Sequence, residues 1–151
     1  MRRFAASVLA AVAVSTAAGA LPALADDDLV AISTADMTGT AERPGPGDAD
    51  ATGWAEVYAV PDAGLLCYVV IVENIVLPAA AAHIHVGGPT VPGPVVIPIK
   101  APNRAGVSAG CVHDVNEMLL QAIADNPGAY YVNVHNTPFP GGAVRGQLEE
   151  E

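Results

Sequence analysis

Basic side chains are scarce in this chain of 151 residues. Six Lys and Arg stand against 16 Asp and Glu, a formal net charge of −10 at pH 7. Such a chain has no electrostatic footprint for a phosphate backbone, which argues against nucleic acid as a partner. An anionic membrane surface is disfavoured for the same reason. Cysteine is also scarce: there are two, and no C-x-x-C pair, so thiol–disulfide exchange of that type is not expected. A long apolar run occurs only near the N-terminus, so no later segment is a candidate membrane span. Short apolar runs punctuated by 13 Pro and 15 Gly make up most of the rest, and 52% of residues are hydrophobic. That excludes disorder throughout and fits a single domain.

The N-terminus reads as a secretory signal peptide, residues 1–25. Arg2 and Arg3 precede an apolar stretch from Phe4 to Ala20, Pro22 breaks it, and Ala23-Leu24-Ala25 supplies small residues for cleavage. The mature chain is then expected to begin at Asp26, with no membrane span, and to be secreted. Four basic residues remain (Arg43, Lys100, Arg104, Arg145) against 16 acidic ones, a net charge of −12. Asp26-Asp27-Asp28 opens a segment, 26–35, expected to be flexible. Glu149 to Glu151 form an acidic tail, read as solvated rather than as a calcium site.

An exported chain meets oxidising conditions, so the even pair Cys67 and Cys111 is expected to form a disulfide. Cys67 sits in an apolar run and is expected in the core. Cys111 stands ahead of a predicted helix.

Most of the chain reads as short strands. Thr52 to Val60 alternates, with Trp54, Glu56 and Tyr58 on one face and Ala55, Val57 and Ala59 on the other. Leu66 to Val72 is a near-continuous apolar run, as in a central strand of a sandwich core. Ala80 to Val86, Val95 to Ile99, Tyr130 to His135 and Ala143 to Leu148 read as further strands, with Pro98 placing its strand at an edge. One helix interrupts them. Asp114 and Glu117 have capping-box spacing, Val115, Met118, Leu119, Ala122 and Ile123 form an apolar stripe, and Asn126-Pro127-Gly128 stops it. The expected fold class is all-β, a β-sandwich with one short helix.

Candidate chemistry centres on histidine. His83 and His85 alternate on one strand and so share a face, the usual way for a β-scaffold to offer two ligands to one metal. His135 ends another strand. His85 and His135 each precede a Pro/Gly loop, which places them at one end of the sandwich, and three imidazoles there suit copper or zinc. Separate hydrogen bonds for each ring are the competing reading. Gly106-Val107-Ser108-Ala109-Gly110 matches G-x-S-x-G, and Ser108, Asp125 and His135 follow hydrolase order. The string lacks the strand–elbow–helix context and reads as a Gly-flanked turn. Arg145 and Gln147 share one face of the last strand and are expected to hydrogen-bond backbone or loop carboxylates.

Four segments resemble the CHRD (chordin-type) domain, in its bacterial secreted single-domain form. They are Ala81 to Gly87, Gly93 to Val96, Tyr130 to His135 and Pro140 to Leu148, the last ending in Arg-Gly-Gln-Leu. The resemblance covers residues 36–148. It implies an immunoglobulin-like β-barrel or sandwich, similar to that of copper/zinc superoxide dismutases. It implies no established activity, and points to a non-enzymatic binding or structural module for an extracellular protein or envelope component. His83-Ile84-His85 resembles the dismutase strand that carries two copper ligands, with His135 comparable to a later ligand and Arg145 to the anion-guiding arginine. The departures are larger. A zinc loop is missing, and only His113 is left as a fourth histidine. The acidic chain supplies no positive approach path for superoxide, so dismutase activity is not expected.

Overall fold

The computed structural model describes residues 30–151. The expected signal peptide and Asp26–Asp28 lie outside them. Nine strands and one α-helix are found among the described residues. The strands are β1 (Ala31–Thr38), β2 (Thr52–Val60), β3 (Leu65–Glu73), β4 (Ala81–Val86) and β5 (Val95–Ile99). They continue with β6 (Val107–Val112), β7 (Tyr130–His135), β8 (Val144–Gln147) and β9 (Glu149–Glu150). The helix α1 (Glu117–Asp125) lies between β6 and β7. The fold is all-β.

The strands join in one antiparallel path, β5-β4-β7-β8-β1-β2-β3-β6, with β9 pairing beside β1. The path curls nearly shut. The Tyr68 hydroxyl on β3 accepts from the Lys100 N–H just after β5 (2.9 Å), and Ser108 Oγ on β6 donates to the Lys100 carbonyl (2.6 Å). Period-two alternation puts one face of every long strand inside. Val57, Leu66, Val70, Ile84, Val132, Val134 and Val144 meet in one core.

Several expectations are corrected. The segment 26–35 is not flexible in its second half: Ala31 to Thr38 pairs residue by residue with β2. The acidic tail is exposed as expected, and its Glu149 and Glu150 add a backbone pairing with Thr34 and Ser33. The Gly-flanked turn around Ser108 is strand β6, paired with β3 from Ile71↔Val107 to Leu66↔Val112. β3 is apolar on both faces, but only Leu66, Tyr68, Val70 and Val72 enter the core, while Ile71 is 39% exposed.

The disulfide is present. Cys67 and Cys111 face each other across β3 and β6. It lies on the outer face, with Cys67 half-buried and Cys111 exposed, so Cys67 is not a core residue. The bond ties two adjacent strands.

The helix is capped by Asn116, whose side chain accepts from the Leu119 N–H (3.1 Å). Asp114 has φ of 57° and does not cap. The apolar stripe is also rotated. Leu120 and Ile123 are buried and Met118 is 77% exposed.

Candidate metal centre

β4 and β7 are antiparallel neighbours, with His83 opposite Asn133, His85 opposite Tyr131 and Ala81 opposite His135. Alternation sends Ala82, Ile84, Val132 and Val134 into the core. It leaves His83, His85, Tyr131, Asn133 and His135 together on the other face. Antiparallel pairing corrects one expectation: His85 and His135 stand at opposite ends of this ladder, not at one end. Their side chains nevertheless converge. One ring nitrogen from each of His83, His85 and His135 lies within 4.8 Å of the other two.

Hydrogen bonds fix how two of the rings are presented. His85 Nδ1 is 2.8 Å from the Gly93 carbonyl, and His135 Nδ1 is 3.0 Å from the Pro140 carbonyl. A carbonyl only accepts, so each Nδ1 carries the proton. In the neutral rings each Nε2 then carries a lone pair. Both of these nitrogens point at the Asn133 carboxamide oxygen, at 3.0 and 3.1 Å. His83 Nδ1 lies 3.1 Å from His135 Nε2.

Burial, then repulsion from the other two rings, holds the His83 imidazole below its ordinary pKa of 6.5, against a hydrogen bond to Asn133. Burial does the same to His135, against its bond to Pro140. Both rings are therefore neutral at pH 7, the form that binds metal.

The surrounding face is polar and locked. Tyr131 stacks on His85 with ring centroids 4.7 Å apart. Arg145, 1% exposed, donates to the carbonyls of Gly88 (2.7 Å) and Val91 (3.2 Å). Gln147 Nε2 lies 2.7 to 2.8 Å from the carbonyls of Tyr130, Gly87 and Gly128. Arg145 and Gln147 thus hold the 87–94 loop that carries the Gly93 carbonyl. A Cβ on Gly93 would collide with the Val86 carbonyl oxygen, so only glycine brings this backbone close enough to reach His85. Behind Asn133 lies Glu42, 2% exposed. Burial raises its pKa above 4.5, opposed by the Arg43 N–H, which donates to Oε2, and by the Arg145 charge.

Other candidate residues stand apart. Ser108 is buried on β6 and bonded to the Lys100 carbonyl, while Asp125 accepts from Gln121 at the end of α1. His113, exposed beyond β6, is not in the imidazole group. Sequence reasoning missed Asn133, Tyr131 and Glu42. The first two share alternation with His135, which is a usable signal. Glu42 comes from a Pro/Gly loop and gives none.

Fold and site together define a small all-β module with a three-imidazole cluster on its polar face. A family model for the CHRD domain matches residues 33–148, and the chain belongs to that family. No curated protein and no solved structure matches it. Membership points to a binding or structural module.

Proposed function

We propose that this CHRD domain is an exported metal-binding module that holds copper or zinc through His83, His85 and His135. One observation carries the reading: His85 and His135 both spend Nδ1–H on backbone carbonyls. This outer hydrogen bond is what orients a metal-ligating imidazole and frees its Nε2. Neutral imidazole nitrogens suit copper and zinc. The Gly93 and Pro140 carbonyls set the rings in place, and the burial that keeps His83 and His135 neutral favours the metal-binding form. A bound ion here would supply a chelated, positively charged centre on a domain rich in carboxylates.

Export is supported by the N-terminal 1–25 pattern and by the disulfide, which belongs to oxidising compartments. Intact mass of the protein recovered outside its host cells tests it. A chain starting at Asp26 is expected; a full-length chain retained inside would refute it.

Calorimetric titration of the chelator-treated protein with copper(II) and with zinc(II) tests the metal reading. One-to-one binding tighter than micromolar is expected for at least one of them. His85→Ala is expected to weaken it by about tenfold or more. Equal affinities, or no binding, would overturn the reading and leave a module whose partner is an extracellular protein or envelope component.

A further inference from the structure

We propose, resting on the metal reading above, that the Asn133 carboxamide oxygen is a fourth ligand. It would complete an N3O set that prefers zinc(II) or copper(II) to copper(I).

The distances among the donor atoms carry this. A tetrahedral ion with bonds of about 2.0 Å has ligand atoms about 3.3 Å apart. His83 Nδ1 to His135 Nε2 is 3.1 Å, His85 Nε2 to Asn133 Oδ1 is 3.0 Å, and His135 Nε2 to Asn133 Oδ1 is 3.1 Å. Three of the six edges of that tetrahedron are therefore already close to the required length. The three imidazoles also offer ligand nitrogens that all lie within 4.8 Å of one another.

The polarity of the contacts points the same way. With Nδ1 protonated on His85 and His135, two nitrogen lone pairs face the oxygen lone pairs of Asn133. Acceptor faces acceptor, an arrangement that an electropositive centre between them stabilises. A flipped amide would relieve it in the metal-free chain, whereas an ion held among these atoms would keep the oxygen turned inwards, as the structure places it. Asn133 is itself 3% exposed and stands opposite His83 and Arg145 on its two neighbouring strands, which leaves it little room to turn away.

The oxygen also sets the choice of ion. Soft copper(I) favours sulfur donors, whereas a carbonyl oxygen is a harder one. Adding it to three imidazoles moves the preference towards the divalent ions.

The test uses the wild-type chain and Asn133→Ala. On titrating wild type with zinc(II), the Asn133 side-chain carbonyl carbon resonance is expected to shift, saturating at one equivalent together with the imidazole resonances. Asn133→Ala is expected to bind zinc(II) and copper(II) about tenfold or more weakly and to change the copper(II) paramagnetic resonance spectrum. Its copper(I) affinity should change little. If wild type binds no metal, the metal reading itself falls, and this inference with it. If the imidazole resonances shift while the Asn133 carbon does not, the metal reading stands and Asn133 is not a ligand. The wild-type spectrum decides the question even if the variant fails to fold. An Asn133→Ala protein that folds with unchanged affinity and spectrum would overturn the inference equally.

Discussion

The Arg145 guanidinium lies 3.4 Å from the centroid of the Tyr131 ring, and that same ring stacks on His85. One planar cation thus touches the aromatic wall of the histidine cluster. It also donates to two carbonyls of the loop that orients His85. Lysine keeps the charge but has neither the planar fork nor the stacking surface. Arg145→Lys is expected to lower stability by about 1–3 kcal/mol, the loss of buried charge-assisted hydrogen bonds. Urea unfolding checks it, and an unchanged midpoint would refute it.

The Cys67–Cys111 bond predicts its own chemistry. Thiol titration of the unfolded, unreduced protein should find no reactive thiol, and two would overturn the assignment. The bond closes a 44-residue separation between paired strands. The chain-entropy model assigns such a loop about 4 kcal/mol. Replacing both cysteines with alanine should therefore lower the melting temperature clearly while leaving β-sheet content intact.

Legibility in the sequence followed the strength of local pattern. Thr52–Val60 was readable because large and small residues alternate there, and the structure keeps both faces as read. β6 was not, because Val107-Ser108-Ala109-Gly110 has little intrinsic strand preference and is made a strand by pairing with β3. β1 was hidden likewise: Ala31–Thr38 mixes small and polar residues, and its register with β2 defines it. In the site, alternation exposed His83 and His85. The role of Asn133 needed the β4–β7 register, which no single segment encodes.

The helix gives a direct check on the rotated stripe. Leu120 is fully buried and Met118 is 77% exposed, although both sit in the same short helix. Leu120→Ala should cost about 2–5 kcal/mol, the range for a large-to-small change in a packed core. Met118→Ala should stay within about 0.5 kcal/mol, as at an ordinary surface position. Equal losses, measured by denaturant unfolding, would refute the helix orientation.

Glu42 supplies a pH dependence of known sign. Its carboxyl is buried, and burial raises its folded-state pKa above 4.5. Below that value both folded and unfolded chains hold the proton, and burial of the group carries no charge penalty. As pH rises past it, the unfolded chain ionises first, so stability falls until the folded carboxyl has ionised too. Above that window the full penalty persists, and Oε1 remains buried without a hydrogen-bond partner. Glu42→Gln keeps the shape and removes the titration. The stability difference, variant minus wild type, should be near zero at pH 4 and should rise with pH to a gain on the order of 1 kcal/mol at pH 7. Denaturant midpoints taken across that range on the chelator-treated protein measure it. A difference that is flat with pH, or that falls as pH rises, would show that the Arg145 charge outweighs burial at this carboxylate.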